Sequence, residues 1–102
     1  MARNAFAPIT PGEMLKEEFL AEYGLSQNQL AKAVGISPNR IAEIVNNRRR
    51  ITADTALRLS LYFGNSPEFW LNLQRRGELW EVLNSPRKRA RVQRARPLQS
   101  AA

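Results

Sequence analysis

Asn39, Arg40 and Glu43, followed by the run Arg48-Arg49-Arg50, are the residues of this sequence with the most definite chemistry to offer. An asparagine amide can pair with adenine through two hydrogen bonds, an arginine fork with guanine, and a carboxylate can accept from the amino group of cytosine. Glu43 has a second reading of equal weight. It can pair with a nearby arginine and keep the surface from gripping every polyanion it meets. A run of arginines is most often a solvated loop. Placed just after such a helix, Arg48, Arg49 and Arg50 are better read as forks for backbone phosphates. Gln27 and Ser37 are smaller phosphate candidates at helix starts, where side chains and amides attract anions, and Asn46, near the end of the second helix, is a further one beside the arginines.

These side chains need two helices and a tight turn to position them, and residues 26–47 provide the signals. Ser26 is a helix N-cap, with Gln29 completing a capping box and Leu25 and Leu30 at the staple positions. Gly35 ends that helix, where a left-handed residue costs least without a side chain. Ser37 caps the next helix, Pro38 fits its first turn, and Ile36 and Ile41 repeat the staple. Ile41, Ile44 and Val45 then form the buried stripe. Asn39, Arg40, Glu43, Asn46 and Asn47 fall on the opposite face. Two helices joined by a short glycine turn, with the second presenting polar side chains, is the helix-turn-helix arrangement, whose second helix enters the DNA major groove.

The spacing of Leu30, Ala31, Val34, Gly35, Ile36, Ile41 and Ile44 resembles the phage-repressor type of this motif. A wider resemblance, from about Pro8 to Gln74, is to the HigA-type antitoxins. It is carried by TPGEMLKEEFL (Thr10 to Leu20), GLSQNQLA, and the long segment from Asn39 to Gln74 that includes ITADTALRL and SPEFWLNLQ. The sequence departs from the family at Asn47, where glycine is usual, although asparagine tolerates a left-handed cap. From Gly77 on it follows no family pattern. The resemblance implies a lambda-repressor-like fold of five helices and two activities: neutralising a HigB-like, RelE-like toxin that cleaves mRNA at the ribosome, and repressing the protein's own operon.

Outside the motif, Thr10, Pro11 and Glu13 start a first helix that is expected to run to about Tyr23. Leu15, Phe19 and Tyr23 face inward, and Glu17, Glu18 and Glu22 form a solvated acidic face. Thr52 caps a fourth helix, Ala53 to about Phe63, whose expected buried stripe is Ala56, Leu57, Ser60 and Leu61. Ser66 and Pro67 start a fifth helix, about 67–83, in which Gly77 is a candidate interruption. Phe69 and Leu73 are expected inside, and Trp70, Trp80 and Leu83 at a homodimer interface. Trp70 has the competing reading of a residue that completes the monomer core. A dimer is also expected because one helix-turn-helix buries little surface, so recognition normally uses two copies on a palindromic operator.

The sequence divides into a helix-turn-helix domain, 1–83, and a basic tail, 84–102. The net charge is +7, yet residues 1–83 are close to neutral, with ten Lys/Arg and nine Asp/Glu. The tail holds the other six basic residues and no acid, which predicts disorder when it is alone. The fold class is therefore all-α with a basic tail. Cysteine and histidine are absent. Their absence removes thiolate chemistry, the commonest general base and the commonest nitrogen metal ligand. With no glycine-rich phosphate loop and no GxSxG, neither catalysis nor a cofactor is expected. No apolar run suggests a membrane span or a secretion signal, so a cytoplasmic protein is expected. Two other functions compete with the antitoxin: a stand-alone repressor without a toxin, and a protein- or RNA-binding module acting through the tail.

Overall fold

Every helix begins on a hydroxyl. In the computed structural model, which describes residues 7–98, the side chains of Thr10, Ser26, Ser37, Thr52, Ser66 and Ser85 each accept from the backbone amide three residues on, at 3.0–3.4 Å. Each such cap contributes about 1 kcal/mol by satisfying an amide that has no partner within the helix. Thr10 with Glu13 and Ser26 with Gln29 complete reciprocal capping boxes. Gly24, Gly35 and Gly64 end their helices in the left-handed region.

The helices so delimited are α1 (11–23), α2 (Gln27–Val34), α3 (Pro38–Val45), α4 (Ala53–Phe63), α5 (Pro67–Asn84) and α6 (Pro86–Val92). They enclose one core, built from Leu15, Leu20, Leu30, Val34, Ile41, Ile44, Leu59, Trp70 and Leu73 among others. Residues 1–6 and 99–102 lie outside the described residues, and with them the first part of the N-terminal stretch and the end of the expected basic tail.

The structure departs from the sequence reading at five points. First, α1 is wound as a π-helix from Met14 to Leu20. The wider winding puts Leu20 into the core with Leu15, five residues apart, and leaves Tyr23 exposed with its ring stacked on Phe63 at 5.8 Å. Second, α4 is rotated from its expected register. Thr55, Ala56, Leu59 and Ser60 are buried, while Leu57 and Leu61 are 51% and 83% exposed. Both stripes satisfy helical spacing. Arg58 supports the observed rotation by reaching the end of α2, which turns Leu57 and Leu61 outward.

Third, Trp70 is not available to a partner subunit, because it is 0% exposed. Its ring packs on Phe19 at 4.9 Å and edge-on to Phe69 at 5.1 Å, and its indole nitrogen donates to Asn65 Oδ1 at 3.1 Å. Fourth, Gly77 does not interrupt α5, which is continuous from Pro67 to Asn84. Fifth, the tail contains a helix, α6. Ser85 caps it and Pro86 occupies its first turn, the two signals that start other helices of this chain. None of its residues is buried, and Lys88 pairs with Glu81 of α5.

Candidate nucleic-acid interface

α3 is held at three places. Its inner face, Ile41, Ile44 and Val45, is buried in the core. At its start, the turn from α2 runs through Gly35 at φ +71°. Arg58 of α4 fastens that turn by donating from Nη1 to the carbonyls of Val34 (2.8 Å) and Gly35 (3.3 Å), while its Nε pairs with Asp54. At its end, the first turn of α1 presses against α3 at Gly12. A Cβ on Gly12 would stand 2.3 Å from the carbonyl oxygen of Ile44 and 2.9 Å from that of Val45.

Held in this way, α3 presents Asn39 and Arg40 to solvent. Ser37 spends its acceptor on the amide of Arg40 at 3.2 Å and keeps its own proton to donate. The side chain of Arg40 makes no hydrogen bond or ion pair among the described residues. Glu43 sits one turn beyond Asn39, half-buried, and its Oε1 takes Arg49 Nε at 2.8 Å. The ion-pairing reading of Glu43 is therefore the one the geometry realises. Asn46 folds its amide nitrogen back onto the carbonyl of Ala42 at 2.8 Å, so one of its two N–H donors is spent on the helix end. Gln27 opens α2 half-buried, without a side-chain hydrogen bond among the described residues.

Asn47 adopts φ +60° at the end of α3, the left-handed cap that asparagine tolerates. Arg48 then donates its amide to the carbonyl of Glu43 at 2.8 Å, which turns the chain sharply. The three arginines of this loop are in different states. Arg48 is exposed and its side chain has no partner among the described residues. Arg49 is paired with Glu43. Arg50, 76% exposed, pairs through Nε with Glu78 Oε2 of α5 at 2.7 Å. Sequence reasoning missed Glu78, and it missed Gln74, whose side-chain amide is bound to the backbone of Ile51. Gln74 is the last residue of the family-like segment and was the available signal. For Glu78, a pairing that spans the loop and α5, no local signal exists.

Arg50 and Glu78 are both exposed, so their pair contributes little to stability. It does occupy the Arg50 guanidinium with a carboxylate. Glu78→Gln is expected to raise affinity for a random-sequence DNA duplex about two- to fourfold, the equivalent of one exposed ion pair. The salt dependence should steepen as Arg50 joins the contact. Fluorescence anisotropy at several salt concentrations reads both quantities.

With this geometry, comparison with known proteins is decisive. The helix-turn-helix family model matches residues 15–70. The chain is 37% identical over 91 residues to antitoxin HigA-1 of Vibrio cholerae, covering 89% of this chain and 86% of that protein. It belongs to the helix-turn-helix family of the HigA antitoxins. Virulence-associated protein I of Dichelobacter nodosus is 56% identical over 72 residues, 71% of this chain and 67% of that one. The HigA antitoxin of Pseudomonas aeruginosa, solved with the higBA promoter, superposes with a TM-score of 0.78 at 39% identity, covering 90% of this chain and 99% of that chain. Like the HigA proteins, this chain is a DNA-binding protein and not an enzyme. Among the described residues no helix is long and apolar enough to cross a membrane.

Proposed function

We propose that this chain is a dimeric antitoxin that represses its own operon and neutralises a HigB-like mRNA-cleaving toxin in the cytoplasm. The observation that carries the DNA half is the exposed pair Asn39 and Arg40 on a helix clamped at both ends, with the unpartnered Arg48 one short turn beyond it. The P. aeruginosa relative, solved with its promoter, supports the DNA-binding reading. Asn39 and Arg40 read base edges, and Ser37, Gln27 and Arg48 hold phosphates, with Asn46 helping through the second N–H of its amide. Arg49 and Arg50 join them only by leaving Glu43 and Glu78. Glu43 tunes the charge of the surface through Arg49 and does not itself read a base.

Leu83 and Leu79, 63% and 58% exposed on the outer part of α5, together with the half-buried Trp80, form the subunit contact. They are large apolar side chains that the monomer core does not cover. The exposed Glu17, Glu18 and Glu22 of α1 give a basic toxin an acidic face to meet.

Two experiments test the two halves. Arg40→Ala is expected to cost about 1–3 kcal/mol in binding to the protein's own promoter and to relax specificity at one base position, whereas Arg48→Ala should weaken all sequences alike. Unchanged promoter binding in both variants would refute the docking. For the partner, the tagged protein is recovered from its own cells at moderate salt, and small co-purifying proteins are identified by mass spectrometry. A stoichiometric basic partner is expected. A clean dimer that still shifts its promoter would leave a repressor and remove the toxin.

A further inference from the structure

The arginine loop must be stiff for its side chains to meet phosphates at small entropic cost, and nothing in its own sequence makes it so. From Asn46 to Thr52 it has no regular structure. Its first turn is tied down by the amides of Asn47 and Arg48, which bond back to α3. Its far end runs into the Thr52 cap of α4, and just before that cap a residue from another helix holds it. Gln74 of α5 accepts from the amide of Ile51 at 2.6 Å through Oε1 and donates to the carbonyl of Ile51 at 3.0 Å through Nε2. A single primary amide therefore makes both hydrogen bonds that a neighbouring strand would make to one residue. The Ile51 side chain is buried, 3% exposed, so the residue is fixed by backbone and side chain together. Arg48, Arg49 and Arg50 lie between the two ties.

We propose that Gln74 is a positioning residue for DNA binding: its amide clamp on Ile51 holds the arginine loop in the shape that meets the phosphate backbone. This rests on the DNA-binding reading of α3. The physical argument is preorganisation. Ordering each loop residue at the moment of binding costs free energy that is lost from affinity, and a loop already ordered avoids that cost. The clamp also makes the loop depend on α5, so whatever shifts α5 shifts the arginines.

Gln74→Met keeps the length of the side chain and removes both hydrogen bonds. Binding of the full chain to a random-sequence duplex is measured by anisotropy across a salt series, alongside thermal unfolding by circular dichroism. A folded Gln74→Met protein is expected to bind about five- to tenfold more weakly, with a salt slope shallower by about one to two phosphate contacts at roughly 0.9 each. In an Arg48→Ala/Arg49→Ala/Arg50→Ala background the same change should alter affinity less than about twofold, because the side chains it positions are gone. A merely structural role for Gln74 would lower affinity equally in both backgrounds and leave the slope alone, and that result overturns the proposal. Wild-type slope and affinity in folded Gln74→Met overturn it as well. If Gln74→Met does not fold, Gln74→Asn, whose amide is one methylene short of Ile51, is held to the same outcomes. A wild-type protein that binds no duplex in a salt-dependent way would instead remove the DNA reading itself, and this inference with it.

Discussion

Replacing Trp70 with alanine is expected to destabilise the protein by about 3–5 kcal/mol, the range for emptying a large aromatic site in a packed core. The indole is 0% exposed and lies where α1, α4 and α5 meet, with the rings of Phe19, Phe69 and Phe63 centred 4.9, 5.1 and 6.2 Å away. Removing it leaves a cavity that three rigid neighbours cannot close. It also takes the partner of Asn65 Oδ1, on a side chain whose Nδ2 is already buried without a hydrogen bond. For a domain of this size each kcal/mol lowers the melting temperature by about 4–8 °C, so the midpoint should fall by more than about 12 °C. Trp70→Phe, which keeps most of the ring and loses the hydrogen bond, should cost markedly less. A residue of the subunit interface behaves differently: its loss weakens dimerisation in a concentration-dependent way and leaves the monomer core intact. Thermal unfolding at two protein concentrations separates the cases, and a melting point for Trp70→Ala within a few degrees of wild type would contradict the packing described.

The indole also illustrates what could and could not be read from the sequence. Helix ends were legible because each depends on a few adjacent residues: a hydroxyl, a proline, a glycine, or asparagine at position 47. The exposed face of α3 was legible for the same reason, since a stripe of Ile41, Ile44 and Val45 fixes which face is left for Asn39 and Arg40. What a residue does between helices was not. Two stripes on α4 fit helical spacing equally, and the rotation is accompanied by the reach of Arg58 to the carbonyls of Val34 and Gly35, across 24 and 23 residues of sequence. The π-winding of α1, which brings Leu20 beside Leu15, likewise lies outside a period of 3.6. Trp70 could be read as an interface residue because the burial offered by Phe19 and Phe63 comes from other helices. Gln74 and Glu78 act on Ile51 and Arg50, far back along the chain, and spacing along α5 carries no trace of that. The short helix at Pro86 is the reverse case. Its cap and proline are local signals as good as any in the chain, and a composition rich in arginine outweighed them.

Gly12→Ala should show how closely the DNA-facing helix depends on α1. Its Cβ would sit 2.3 Å from the carbonyl oxygen of Ile44, 2.9 Å from that of Val45 and 2.6 Å from Asn47 Oδ1. Two of these atoms are backbone, so no rotamer change relieves the contact, and the backbone at Gly12 does not itself require glycine. Either the first turn of α1 must lift, against a capping box between Thr10 and Glu13 that anchors it, or the last turn of α3 must shift. Overpacking of this kind typically costs 1–3 kcal/mol and occasionally more, and contact with rigid backbone places this case at about 3 kcal/mol. The loop of Arg48, Arg49 and Arg50 leaves α3 at this point. Affinity for a random-sequence duplex should therefore drop as well, even at temperatures where the variant is fully folded. Gly77→Ala supplies the contrast. A Cβ there meets nothing within 4 Å, in the interior of a continuous helix. That substitution should stabilise by about 0.5–1 kcal/mol, the difference between glycine and alanine in a helix. Melting temperatures that move in opposite directions for these two glycines, with DNA affinity lost only at Gly12, would tie the end of α3 to its packing against α1. Equal small shifts at both positions would mean that α1 does not seat α3.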